Sequence, residues 1–148
     1  MESEPVEIDA RDDVSKNPLA RRVRRRPTVA NVRFVHAPGV VQTLEGPVGH
    51  GSGAAIVTGA AGEQWPVERA RFEASYEAIA STRMGEDGPY RHVASLAWAR
   101  CSPQPFQLRL RDGRGTLHGN AGDWLVQYAP GDLAVVSASI FDATYEIV

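Results

Sequence analysis

The residues best suited to chemistry are carboxylates next to aromatic rings. Glu77 follows Tyr76, Glu146 follows Tyr145, and Asp123 precedes Trp124. Two acids can share acid–base work when held about 5–9 Å apart. An acid beside an exposed indole can also form one edge of a ligand site. On a strand, however, successive side chains alternate faces, so a Tyr-Glu step equally places the ring inward and the acid in solvent. Asp123 after Gly122 has the further option of accepting from a turn amide. The candidate ligand-binding residues are therefore Asp123, Trp124, Tyr145, Glu146, Tyr76 and Glu77, and no catalytic set is assigned.

Other reactive groups are sparse. Cys101 in ARCSPQP has no histidine nearby in sequence, and nucleophilic catalysis needs a base in reach. It reads as a buried or partly buried spectator thiol. GHGSGAA (49–55) has neither the Lys-Ser/Thr of a phosphate loop nor the strand-to-helix setting of a nucleophile elbow. His36, His50, His92 and His118 show no zinc spacing, so neither a metal nor a cofactor is expected.

The 148 residues carry a formal charge of −2, but the charge is segregated. Residues 1–13 hold six acids and one base, and residues 14–26 hold six bases and no acid. Arg21, Arg22, Arg24, Arg25 and Arg26 are candidates for nucleic-acid contact, since guanidinium suits phosphate. The plainer reading of residues 1–26 is a disordered leader, acidic then basic. No run approaches the roughly 20 apolar residues of a membrane span, no secretory h-region opens the chain, and one cysteine cannot form an intramolecular disulfide. A cytoplasmic protein, monomer or homodimer, with no membrane contact is expected.

The elements that must position these groups come in a repeat. Residues 53–79 (GAAIVTGAAGEQWPVERARFEASYEAI) align without a gap to 122–148 (GDWLVQYAPGDLAVVSASIFDATYEIV) at a shift of 69, with nine identities. These are Gly53/Gly122, Val57/Val126, Ala60/Ala129, Gly62/Gly131, Val67/Val136, Phe72/Phe141, Ala74/Ala143, Tyr76/Tyr145 and Glu77/Glu146. Upstream, VANVRFV (29–35) matches VASLAWA (93–99) at a shift of 64, which sets Phe34 opposite Trp98. The chain reads as a first repeat over 27–79, a linker over 80–88 rich in turn formers, and a second repeat over 89–148.

Each repeat shows the period-two alternation of half-buried strands, as in FQLRLRDG (106–113). Ala129-Pro130-Gly131-Asp132 suits a type II turn, with glycine where φ is positive. Pro66 removes a ladder donor, which predicts an edge strand or a bulge. SASIFDA suits one helical turn, with Ser137 or Ser139 as cap, and ERARFEASYEAIAS a helix of two or three turns. A unit this small buries little apolar surface alone. The expected fold is mainly β (β-rich α+β): two tandem antiparallel β units with short helices, packed as one pseudo-symmetric domain.

The segment GDWLVQYAPGDLAVVSASIFDATYEIV resembles the ending of a family of small, mostly uncharacterised bacterial and phage proteins. That ending runs G-D-W-I-V, a glycine-acid turn, an apolar strand, then I-F-x-x-T-Y-E. Copy one looks like the same pattern, with Ala54-Ala55 where copy two has Asp123-Trp124. Pro130-Gly131-Asp132-Leu133 is similar to the turn of the PGDYL family, without its tyrosine. The resemblance implies no established reaction; by analogy it implies phage biology or host–phage conflict. A core signature is thus duplicated without a duplicated reactive set. This favours a non-enzymatic module that holds a small ligand or a protein partner at the seam between repeats. One alternative is a small enzyme acting on a nucleotide-like substrate through Asp123 and Glu146. Another is a nucleic-acid accessory factor using Arg21–Arg26.

Overall fold

The computed structural model describes residues 5–148. The chain enters with β1 (Val6–Asp9), a 3-10 turn (Val14–Lys16) and β2 (Arg21–Arg25). Next come β3 (Thr28–Phe34), β4 (Gly39–Thr43), β5 (Gly46–His50), β6 (Ala55–Thr58), β7 (Gln64–Val67), α1 (Arg69–Ser75), β8 (Tyr76–Ala78) and β9 (Gly88–His92). It ends with β10 (Ser95–Cys101), β11 (Phe106–Arg109), a second 3-10 turn (Arg111–Gly113), β12 (Thr116–Gly119), β13 (Trp124–Ala129), β14 (Asp132–Val136), α2 (Ala138–Thr144) and β15 (Tyr145–Ile147). The fold is mainly β. Two compact units result: unit 2 is the continuous stretch 26–94, and unit 1 joins the N-terminal residues up to 25 to residues 95–148.

Unit 2 holds a five-stranded sheet in the order β7-β6-β3-β9-β8 and the hairpin β4-β5. Unit 1 holds a five-stranded sheet in the order β14-β13-β10-β2-β15 and a smaller sheet β1-β11-β12. Taken in order, β7, β6, β3 and β8 occupy the places of β14, β13, β10 and β15. The place filled in unit 2 by β9 is filled in unit 1 by β2, drawn from the other end of the chain. All neighbours in the two five-stranded sheets run antiparallel.

The alternating patterns explain why these stretches are strands. In unit 2 the inward residues of β3, β6 and β7 (Val32, Phe34, Ala55, Val57, Val67) pack with Phe72 from α1, Tyr76 and Tyr90. In unit 1 the corresponding cluster is Val23, Ala97, Ala99, Val126, Val136, Phe141 and Tyr145. Each helix has seven residues. That length is marginal in isolation, so each is held by the single phenylalanine it buries. Burial of such a ring is worth about 1.5–3 kcal/mol. Pro66 lies in β7, the edge of its sheet, as its missing donor requires. Gly131 takes φ +79° and Gly62 φ +82° at the matching hairpin turns, a conformation that costs glycine nothing.

Three expectations are corrected. Residues 5–25 are not a disordered leader. β1 pairs in parallel with β11, β2 lies between β10 and β15, and Ile8, Ala10, Val14 and Val23 are buried. Four well-spaced apolar side chains anchor a segment whose composition is otherwise polar; residues 1–4 of the proposed leader lie outside the described residues. Second, 80–88 does not separate the two units. It joins β8 to β9 inside unit 2, where the Tyr90 hydroxyl binds the Arg83 and Glu86 carbonyls and the Gly85 amide. The chain leaves unit 2 only after Ala94. Third, the upstream offset of 64 is out of register. Phe34 faces Ala55, and Cys101 faces Trp124. By the shift of 69, Ala55 and Trp124 correspond, so the counterpart of Phe34 is Cys101 and that of Trp98 is Asn31. An error of three residues is odd, and an odd slip exchanges the faces of a strand. Phe34 is accordingly buried while Trp98 sits on the outward face, half-buried.

Candidate functional site

The Tyr-Glu steps form the last strand of each five-stranded sheet. Tyr76 and Tyr145 point inward and are buried. Glu77 faces Arg91 across the β8–β9 ladder, and Glu146 faces Arg24 across β15–β2. The ion pairs close at 3.4 Å for Arg91–Glu77 and 3.3 Å for Arg24–Glu146, all four side chains being about half exposed. Both glutamates thus take the solvent face that period two assigns them, each with a cross-strand arginine. Neither arginine partner was foreseen; the signal was available in Arg24 and Arg91, each five or fewer residues before a central strand.

Trp124 and Tyr145 are brought together through Phe141. The indole stacks on the phenyl ring at 3.8 Å with planes 6° apart, and that ring stacks on Tyr145 at 5.0 Å and 9°. The Tyr145 hydroxyl then shares a 2.6 Å hydrogen bond with Tyr128. In unit 2 the Phe72 ring stacks on Tyr76 at 4.7 Å, and Phe34 meets Phe72 edge-on at 5.3 Å. Arg25 and His92 occupy matching register positions beside Tyr145 and Tyr76, and both are buried. Tyr76 meets the His92 ring edge-on at 4.7 Å.

Asp123 ties two backbone segments together. Its Oδ2 accepts from the Asn120 amide at 2.9 Å, and its Oδ1 accepts from Ala138, the first residue of α2, at 3.1 Å. The side chain of Ser137 makes no cap, so Asp123 caps the helix from a distant loop. Unit 2 secures its helix to the equivalent loop by other atoms: Arg69, the first residue of α1, donates from Nε to the Gly53 carbonyl at 3.0 Å. Its guanidinium also lies 4.1 Å above the Phe34 ring.

The five N-terminal arginines divide by face. Arg25 is turned into unit 1, while Arg22 and Arg24 face outward from β2. Arg21 and Arg26 are exposed. Arg22 lies across the ladder from Trp98, its guanidinium carbon 5.2 Å from the indole centroid. Leu96 and Arg100 flank Trp98 at the alternate positions of β10, Leu96 being 47% exposed. This Trp98 face is the feature that reading the sequence missed, because the shift of 64 matched Trp98 to Phe34, which is buried.

Cys101 is exposed rather than buried, and its thiol donates to the Gly122 carbonyl at 3.4 Å. No cluster of metal-binding side chains occurs among the described residues, and no helix among them is long and apolar enough to cross a membrane. Asp13 is one of the groups whose titration the fold perturbs. The Ser15 hydroxyl bond holds its carboxyl below the ordinary value, burial opposes, and Gln127 assists. Asp13 Oδ1 accepts from that hydroxyl at 2.6 Å and from Gln127 at 3.3 Å, while Gln127 Oε1 accepts from the Val14 amide at 2.7 Å.

Neither the curated proteins nor the solved structures contain a match to the chain. A family model, described as PGDYG protein, matches residues 46–146 and so takes in both helices, ten of the fifteen strands and the start of β15. At Pro130-Gly131-Asp132 the chain reads the first three letters of that description in the β13–β14 turn. The match covers well over half of the sequence, and the chain belongs to the PGDYG family.

Proposed function

We propose that this chain is a non-catalytic binding module made by tandem duplication of one β-rich unit. The observation that carries the reading is the engagement of the acids. Glu77 and Glu146 are held by Arg91 and Arg24, and Asp123 is held by two backbone amides. Carboxylates engaged in this way are poorly placed to reach the proton of a bound substrate, which needs a free oxygen within hydrogen-bond reach of it. The duplication is supported by the common strand order and by the cross-strand pairs, which recur position for position. Arg24·Glu146 answers Arg91·Glu77, and Cys101·Trp124 answers Phe34·Ala55. The turn Pro130-Gly131-Asp132-Leu133 is the PGDYL-like feature of the second copy. The partner is a small molecule or a protein, met in the cytoplasm, and the resemblance to phage proteins suggests host–phage conflict as the setting.

A thermal-shift screen of the full chain against nucleotides, metabolites and polyanions tests this, with mass spectrometry of each mixture. A shift without conversion of the ligand is the expected result, since a ligand at 100 times its Kd stabilises by about 2.7 kcal/mol. Conversion of any compound that is lost in Glu146→Gln or Asp123→Asn overturns the reading. So does a screen in which nothing shifts the transition together with a lysate pull-down on the full chain that retains nothing.

A further inference from the structure

We infer that the outward face of β10 and β2, centred on Trp98, Arg22 and Arg100, binds single-stranded nucleic acid. The inference rests on the binding-module reading and gives the module a polymeric partner besides the small molecule or protein proposed above. The contrast between the units carries it. Both outward faces keep an arginine at the Arg33/Arg100 position and the Arg–Glu ion pair. They part at one central residue and both of its cross-strand neighbours: Asn31 lies between Pro89 and Thr58 in unit 2, Trp98 between Arg22 and the buried Gln127 in unit 1. The same sheet face is closed over β13 and β14, where Leu125, Gln127, Leu133 and Val135 are buried and Gln127 is bound by Val14 and Asp13. Trp98 and Arg22, both part-exposed, lie where that cover ends, a guanidinium over an indole that unit 2 lacks.

The chemistry of that pair fits a strand of nucleotides. An indole offers a stacking surface to any unpaired base, worth about 1–3 kcal/mol per base. A guanidinium over an aromatic ring keeps its N–H donors at its edge, free to meet phosphate oxygens. Arg22 and Arg24 are two residues apart on one strand, roughly 6.8 Å, and Arg100 sits two residues along β10 from Trp98. Guanidinium groups thus line the uncovered margin of the face beside the ring, a spacing suited to successive phosphates. Arg24 contributes less, since Glu146 shares it. Duplex bases are stacked on one another and cannot reach the indole, so a single strand is the form selected.

Fluorescence anisotropy of the full chain with a labelled twelve-residue oligothymidine tests the inference, beside the matched duplex, inorganic polyphosphate and polyglutamate. The expected result is preference for the single strand. The salt slope expected for three phosphate contacts is about −2 on a log–log plot. Trp98→Asn, the residue of the sister position, should weaken binding about tenfold or more with an unchanged melting temperature, and Trp98→Phe should restore most of it. Arg22→Gln and Arg100→Gln should each make the slope shallower by about 0.7. Equal affinity for polyphosphate or duplex overturns the inference as mere anion attraction. Tighter binding of polyglutamate overturns it in favour of an acidic protein. Absence of oligonucleotide binding at low salt also overturns it, while the thermal-shift screen and pull-down still decide the broader reading on their own.

Discussion

The two units solve the same packing problem with different residues in the same places. Each needs one large ring at the β3–β6 or β10–β13 crossing to meet the helix phenylalanine. Unit 2 puts it on the central strand, as Phe34 opposite Ala55, and unit 1 on the hairpin, as Trp124 opposite Cys101. At the other side Tyr90 faces the small Ala78, whereas Val23 faces Ile147. Helix anchoring is exchanged likewise, between the Arg69 side chain and the Asp123 carboxylate. Interiors are close-packed, so volume lost at one position must be supplied by a neighbour. The difference teaches that some departures between the units repair one another, as the exchanged ring and the exchanged helix anchor do. Trp98 and Arg22 against Asn31 and Pro89 show no such exchange.

The largest effect should come from the strand that unit 1 borrows from the start of the chain. Val23 is fully buried in β2, and Val23→Asp leaves an unpaired charge there, a class of change that costs about 4 kcal/mol or more. Hydrogen exchange should show lost protection in β10, β13 and β15 while β3, β6 and β9 keep theirs, because unit 2 closes its sheet from its own residues. Loss spread evenly over both sheets would show that the comparison describes one cooperative fold. For the same reason, deleting residues 1–26 is a test of folding before it is a test of binding.

Next in size is the exchange of rings. Phe34→Ala should cost about 3–5 kcal/mol, and Ala55→Trp about 1–3 kcal/mol by overpacking. If the pairs are interchangeable, Phe34→Ala combined with Ala55→Trp should be less destabilised than the sum of the two single changes, with a coupling of about 1 kcal/mol or more. Denaturant melts of the four proteins measure it. Strict additivity would mean that the rings fill unrelated spaces.

Much of this was legible in the residues. Gly62/Gly131, Phe72/Phe141, Tyr76/Tyr145 and Glu77/Glu146 recur because a turn, a helix anchor, a core ring and an ion pair each need one residue type at one place. The β-rich class and the Pro66 edge followed from periodicity and a missing donor. Register upstream did not follow. VANVRFV and VASLAWA look alike at several offsets, and only the ladder shows which residue faces Ala55 or Trp124. The origin of β2 was equally hidden, since nothing local in RRVRR says that its neighbours lie more than 70 residues away. The Trp98 face depended on both.

A smaller and local effect separates the units by pH. Unit 2 has no counterpart of the Asp13–Gln127–Val14 network; Thr58 stands where Gln127 does. Asp13 is depressed from an ordinary value of 3.8. Its contribution is therefore complete above that value and is lost as pH falls through the lower folded value. Amides of Val14 and Ser15 should exchange faster over that acid range, and Asp13→Asn should remove the dependence. A matching acid loosening at β6 would contradict the assignment to this network.

The smallest effect belongs to the feature the units share most closely. Half-exposed ion pairs are worth about 0–1 kcal/mol, so Glu77→Gln and Glu146→Gln should each lower stability by less than about 1 kcal/mol. High salt should shrink the difference from the parent. Equal losses would mark both pairs as equivalent fasteners of their sheets. The two need not behave alike at the surface, however. Freed from Glu146, Arg24 joins Arg22 and Arg100 as an available cation. Glu146→Gln should then tighten oligothymidine binding about two- to fivefold while Glu77→Gln leaves it unchanged, because the Arg91 face lacks the indole. Tightening by both variants alike would trace the attraction to net charge and detach it from Trp98.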